Sequence, residues 1–303
     1  MATLMKIVEP LAMTDAMVGS AAGTVAEVEH PEWAGGSTYN ALQKVIVKGT
    51  QGTFVDLVVG NKDWMSICVA PNKDVYACIS AHSIWIQTGG SGAFVDLGAV
   101  AGDKAWSGIC AAPNGDIYCS VYGGGIWIRT AGAGNFTDLG GTVAGNKNWT
   151  FLSAAPNGDI YAPVFGGSIW IRTAGAGNFT DLGAAAGNKD WMGSCADPNG
   201  NIYASVDGGS IWKRTAGAGN FTDLTAGAKE WRGLASAPNG DIYAAVQTGS
   251  IWKLSSGSLT FVDLVAGAKE WYGLASYPFG DSCGIYANVF GGSIWLTTFE
   301  VVH

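Results

Sequence analysis

Residues 149–183 read WTFLSAAPNGDIYAPVFGGSIWIRTAGAGNFTDLG, and this stretch decides the fold. It divides into four short strands. Strand a starts at Trp149 and runs through Leu152, Ser153 and Ala154, a run that suits a crowded inner strand. Pro156-Asn157-Gly158-Asp159 is a turn, because Pro fixes φ and Asn-Gly accepts positive φ. Strand b covers 160–164, Gly166-Gly167 turns the chain again, and strand c covers 168–173. A flexible link over 174–178 leads to strand d, Phe179-Thr180-Asp181-Leu182. Apolar residues fall on both faces of strands b and c, which suits a sheet packed between two neighbours.

The same unit recurs in tandem. A Lys stands two residues before a Trp at Lys62/Trp64, Lys104/Trp106, Lys147/Trp149, Lys189/Trp191, Lys229/Trp231 and Lys269/Trp271, with Trp spacings of 42, 43, 42, 40 and 40. A Tyr follows the first turn at Tyr76, Tyr118, Tyr161, Tyr203, Tyr243 and Tyr286, and an Ile-Trp pair ends at Trp85, Trp127, Trp170, Trp212, Trp252 and Trp295. A strand-patterned period of 40–45 residues marks a propeller blade, so the expected fold is an all-β, six-bladed β-propeller of four-stranded blades over residues 51–303. The Phe-x-Asp-Leu strand appears at Phe54, Phe94, Phe136, Phe179, Phe221 and Phe261, yet none follows the last unit. Phe54-Val55-Asp56-Leu57 is therefore expected to supply the outer strand of the C-terminal blade, which removes an open edge. The competing reading is that Phe299 to Val302 closes that blade. Residues 1–50 do not repeat and form a separate N-terminal module around Trp33, Tyr39 and Val45 to Val47.

Composition agrees. The 303 residues hold 46 Gly and 13 Trp with only 13% charged residues, which favours many short strands joined by tight turns. The net charge of −8 and the lack of a basic run exclude a phosphate-neutralising nucleic-acid surface. No apolar run approaches the ~18 residues of a membrane helix, and Glu9, Pro10 and Asp15 interrupt any signal-peptide core. Of six cysteines, Cys68, Cys110 and Cys195 share one repeat position, four after a Trp, where other units carry Ser153, Ala235 and Ala275. Cys thus acts as a small buried residue, with neither disulfide nor metal expected.

At these motifs the repeats resemble tectonin and tachylectin-type lectin propellers: PNGDIYCSV then GGGIWIRT within 113–130, and PNGDIYAAV then GSIWKL within 238–254. The resemblance covers about 250 residues and implies sugar recognition at blade junctions or loop faces. The leader resembles the short leading module of tailed-phage virion proteins. That likeness is carried by Pro10-Leu11-Ala12-Met13-Thr14-Asp15-Ala16-Met17, Trp33-Ala34-Gly35-Gly36-Ser37-Thr38-Tyr39 and Val45-Ile46-Val47. It implies a tail, fibre or collar protein, present in several copies and docked to other virion proteins through residues 1–50.

No catalytic set is visible. His30, His82 and His303 are scattered, and no Ser/His/Asp or Cys/His arrangement is suggested. The repeated Asp56, Asp96, Asp138, Asp181, Asp223 and Asp263 read as strand or turn fasteners, and PNGD lacks the alternating acidic ligands of a calcium loop. The chain is accordingly expected not to be an enzyme and to carry no cofactor. The six Lys read as stems lying over Trp, with a cationic ring meeting an anionic sugar or a partner as the alternative. The Ile-Trp series is expected in the core and the strand-a Trp series partly exposed.

Shared positions build the frame, so recognition belongs where units differ. At the b–c turn these are Tyr122, Phe165, Asp207, Gln247 and Phe290, with His82 in the first unit; after the strand-a Trp, Arg232 and Tyr272 stand out. Tyr122, Phe165, Asp207, Gln247, Phe290, Arg232 and Tyr272 are the candidate ligand-binding residues. The expected function is a non-enzymatic virion propeller recognising host-surface glycan. The alternative is a structural decoration or spacer with no ligand.

Overall fold

The computed structural model describes residues 53–279 and 282–300. The expected leader module and the 50/51 domain boundary lie outside these residues. The described chain is all-β, relieved only by single turns of 3-10 helix. None of its helices is long and apolar enough to cross a membrane.

Each repeat folds into an antiparallel four-stranded meander. In the second, strand a is Lys104–Ala111, b is Ile117–Gly124, c is Ile126–Arg129 and d is Thr137–Asp138. The turns form where the sequence placed them, and side chains lock them. Asp116 accepts the Ala131 N–H at 2.8 Å while Asn114 Nδ2 donates to its other oxygen at 2.8 Å, so the a–b turn also holds the c–d link. The outer-strand carboxylates fasten turns: Asp138 Oδ1 accepts the Gly140 N–H at 2.9 Å, and Asp181 does the same for Gly183 at 2.8 Å. Each thereby gives a backbone donor a partner that the turn leaves unsatisfied.

In the first, second and fifth units strand a begins two residues earlier than its Trp. Its first residues leave their own sheet and pair with the end of the preceding strand b, Ala105 with Ser80 and Lys104 with His82. Lys62 and Asp63 pair in the same way with Gly292 and Phe290 of the last unit. Val55 and Asp56 pair antiparallel with Leu296 and Trp295, at the outer edge of that unit's strand c. Phe299 belongs to that strand, Ile294–Glu300, and not to an outer strand.

The core lies between successive sheets. Trp64, Trp106, Trp149, Trp191, Trp231 and Trp271 are all fully buried, whereas Trp85, Trp127, Trp170, Trp212, Trp252 and Trp295 are half-buried. This reverses the sequence expectation for the two series. The physical reason is local: each strand-a indole N–H donates to the carbonyl four residues upstream, as Trp191 does to Gly187 at 3.0 Å. The polar loop folds over the ring and satisfies the one group that would have required water. Each outer Trp instead roofs its inner partner edge-on, Trp127 over Trp106 at 6.1 Å between centroids. It is covered in turn by the unit's Lys, with Lys104 Nζ 4.3 Å from the Trp127 centroid. The equivalent distances run from 4.3 to 4.6 Å in the other units, so the lysines serve as lids over indoles.

Candidate functional site

Strand a carries a β-bulge directly after its Trp. The register slips between Trp231 and Leu234 and between Trp271 and Leu274. A bulge re-aims the residue it inserts, and here it turns Arg232 and Tyr272 toward the b–c turns. The backbone is held there from the neighbouring unit, since Ser205 Oγ donates to the Arg232 carbonyl at 2.7 Å.

Five of the seven sequence-derived candidates meet at this end. Arg232 is 8% exposed, so its charge has left most of its water and needs partners. Its Nη1 lies 2.8 Å from Asp207 Oδ1, an ion-pair contact whose angle departs from that of an aligned hydrogen bond. Its Nε donates to Gln247 Oε1 at 2.8 Å, and Nη2 reaches the same oxygen. Gln247 Nε2 in turn donates to Glu270 Oε2 at 2.8 Å. Only this orientation of the amide satisfies both neighbours, so Gln247 acts as a polar relay between a cation and a carboxylate.

The aromatic half adjoins the polar one. The Arg232 guanidinium lies 5.7 Å from the centroid of Tyr272, which stacks on Phe290 at 5.2 Å and 29°. Phe151, 4% exposed, meets Tyr272 edge-on at 6.4 Å. Burial pushes the Tyr272 phenol above its ordinary value, against the pull of the Arg232 guanidinium and with the push of Glu270. It therefore stays a neutral hydrogen-bonding group at physiological pH. The arrangement offers an aromatic platform, a half-buried carboxylate and a fixed guanidinium side by side.

Tyr122 and Phe165 occupy the same b–c turn position in the second and third units, with Tyr122 48% exposed. Among the described residues, no hydrogen bond, ion pair or ring contact joins them to the network. The first unit's counterpart is Ser80, not His82: Ile79 N–H donates to the Ser83 carbonyl as Val121 N–H does to Gly125, and Ala81 takes the positive φ of 56° that Gly123 takes elsewhere. Sequence reasoning missed two participants. Phe151 stands where the other units have Ser66, Gly108, Gly193, Gly233 and Gly273, a substitution that aligning the units exposes. Glu270 passed as one of several acids following the repeated Lys, but it is half-buried where Asp63, Asp190 and Glu230 are exposed.

A cavity of about 470 Å³ opens at the other end of the strands, around the a–b turns. Ala70-Pro71, Ala112-Pro113, Ala155-Pro156 and Ala237-Pro238 line it, with Asp197-Pro198 in the fourth unit. Asp197 is spent on its own turn, accepting from the N–H groups of Asn199 and Asn201 and from Asn201 Nδ2 at 2.7–2.9 Å. Its other polar side chains are the hydroxyls of Ser236, which donates to the Ala237 carbonyl at 3.3 Å, and Ser276, and it lacks a set of converging charged groups. The Arg232 network has such groups and breaks the repeat symmetry, and on that ground it is the candidate site. Among the described residues no His, Cys, Asp and Glu group could hold a metal ion.

No family model and no curated protein matches the chain. Solved structures do. A gluconolactonase from Xanthomonas campestris superposes with a TM-score of 0.63 at 12% identity, covering 81% of this chain and 89% of its own. A virginiamycin B lyase from Staphylococcus aureus gives 0.59 at 17% identity, covering 77% and 80%. A protein of unknown function from Bacteroides thetaiotaomicron gives 0.63 at 14%, covering 83% and 73%. At such identities the likeness establishes the fold alone, a propeller-like all-β architecture.

The expectation that the chain is not an enzyme is corrected. It rested on scattered histidines and the lack of a Ser/His/Asp or Cys/His arrangement, and the Arg232 network shows that charged and polar side chains from different units do converge. Two proteins of this architecture are enzymes, so neither the fold nor the repeat symmetry excludes catalysis.

Proposed function

We propose that the chain is a closed six-bladed propeller that binds a glycan on the face carrying Arg232, Tyr272 and Phe290. The pairing of Val55–Asp56 with the last unit, and of Lys62–Asp63 with its strand b, supports closure. The observation that carries the binding reading is the convergence of three successive units on one aromatic and polar platform. Asp207 comes from the fourth unit, Arg232 and Gln247 from the fifth, and Glu270, Tyr272 and Phe290 from the sixth. Stacked rings offer their faces to the C–H face of a pyranose, and fixed polar groups beside them select its hydroxyls. The lectin-like repeat motifs favour the same ligand class. The leader's resemblance supports a place on a tailed-phage particle, with residues 1–50 docking to other virion proteins and the propeller meeting host-surface glycan.

The test is a glycan array probed with the full chain and with Tyr272→Ala. Binding to a defined glycan set, lost in the variant while near-ultraviolet circular dichroism is preserved, supports the proposal. A blank array at high protein concentration rejects it.

A further inference from the structure

The charges of this face do not cancel at its centre. Arg232 is committed to Asp207. The repeated lysines are committed to indoles, Lys229 Nζ lying 4.5 Å from the Trp252 centroid and Lys269 Nζ 4.4 Å from that of Trp295. Glu270 is left as a half-buried carboxylate whose hydrogen-bond donor is the neutral Gln247 amide, through Oε2. Beside it stands the Tyr272–Phe290 stack. A partly desolvated carboxylate next to aromatic faces is an arrangement that favours a positive ligand, by direct charge and by the ring quadrupoles.

We infer that this site takes a ligand bearing a positively charged amine, its sugar form being an unacetylated hexosamine. The inference deepens the glycan reading and rests on it for the sugar part alone. Glu270 forms the ion pair with the ammonium, the Tyr272–Phe290 platform carries the ring, and Arg232, held by Asp207, meets hydroxyls. An acidic sugar is disfavoured because its carboxylate would face Glu270 and would need Arg232 to abandon its partner. This is the opposite preference to the one a ring of free lysines would give.

The test is calorimetric titration of the full chain with glucosamine, N-acetylglucosamine, glucuronic acid and tetramethylammonium. Glucosamine is expected to bind at least tenfold more tightly than the other two sugars, with tetramethylammonium as a competitor and with affinity falling as salt is raised. In Glu270→Gln, whose near-isosteric side chain preserves the fold, the ratio of glucosamine to N-acetylglucosamine affinity should collapse to within about twofold of one. Preference for N-acetylglucosamine or glucuronic acid overturns the inference and leaves glycan binding standing. Binding of tetramethylammonium without any sugar overturns the glycan reading and leaves the cation site standing. Binding of neither probe class overturns both.

Discussion

Phe54 lies against Trp271, ring centroids 5.5 Å apart, although 217 residues separate them in the chain. Phe54 is 6% exposed and takes the place that Phe94, Phe136, Phe179, Phe221 and Phe261 take against the inner Trp of their own units. A strand at the start of the repeats thus completes the packing of the final unit. Phe54→Ala should cost about 3–5 kcal/mol, the usual range for removing a buried Phe. Because the contact is the most non-local of its series, loss should also open the last unit. Urea unfolding monitored by Trp fluorescence checks the midpoint, and amide exchange of 285–297 checks the locality. An effect below about 1 kcal/mol would show that the pairing does not hold the termini together.

Arg232 is the hub of the candidate site, so its removal should be felt beyond binding. Arg232→Ala leaves Asp207 and Gln247 partly buried without their donor, an unsatisfied-group penalty of about 1–3 kcal/mol. Arg232→Lys keeps the charge but not the fork that contacts Asp207 and Gln247 together, and should recover less than half of the loss. Thermal unfolding of the three proteins at one pH gives the comparison. Full rescue by Lys would reduce Arg232 to a simple point charge.

The course of this chain was legible because turn chemistry and the aromatic register repeat in phase. Pro-Asn-Gly-Asp and the spacing of Trp, Tyr and Trp mark the order of the strands and the a–b turns, although strand b of the second, fourth and sixth units runs on through the Gly pair expected to end it. Which Trp series is buried was not legible. Both series sit on strands buried on two faces, and the deciding contact is the hydrogen bond from Trp191 Nε1 to the Gly187 carbonyl and its equivalents. The site was half legible. Variation between units picked Asp207, Arg232, Gln247, Tyr272 and Phe290 individually. Their union depends on a bulge at Arg232 and on a side-chain chain ending at Glu270, which no local pattern encodes.

Acid stability should depend on Asp241. Burial opposes its ionisation, but Lys253 Nζ at 2.6 Å, the Ser256 N–H and Asn239 Nδ2 outweigh burial and hold the carboxyl below its ordinary value. A group depressed in the folded state contributes stability above its unfolded pKa, about 3.9. That contribution fades as pH falls from there through the lower folded value. Asp241→Asn should therefore reduce stability at pH 7 and flatten the decline below about pH 4. Unfolding free energies from pH 2 to 7 for both proteins test this. Parallel curves would remove Asp241 from the acid response.

Thiol chemistry should be silent in the native state. Cys68, Cys78, Cys110, Cys119 and Cys195 are all free and buried. Burial raises the thiols of Cys68, Cys110, Cys119 and Cys195, so the reactive thiolate is suppressed as well as shielded. In a Cys283→Ser background, a chromogenic disulfide reagent at pH 8 should find no thiol until denaturant is added, and five thereafter. Reaction of one or more groups at native pH within minutes would mean that the units part locally.

The inner strands leave room for very little at the residue two after the Trp, and Phe151 alone is large there. A methyl group added at Gly108 would stand 2.6 Å from the Phe151 Cα and against the Thr150 carbonyl, both backbone atoms of the next unit that have no rotamer to yield. Gly108→Ala should therefore destabilise by about 1–3 kcal/mol, as overpacking does. Gly141 serves as the control, because its added methyl meets nothing within 4 Å and its φ is not in the left-handed region. Gly141→Ala should be neutral or gain a few tenths of a kcal/mol by narrowing the unfolded ensemble. Equal effects at the two positions would mean that neighbouring inner strands can separate freely. A large difference would show that glycine at this position sets how closely the inner strands of the second and third units approach.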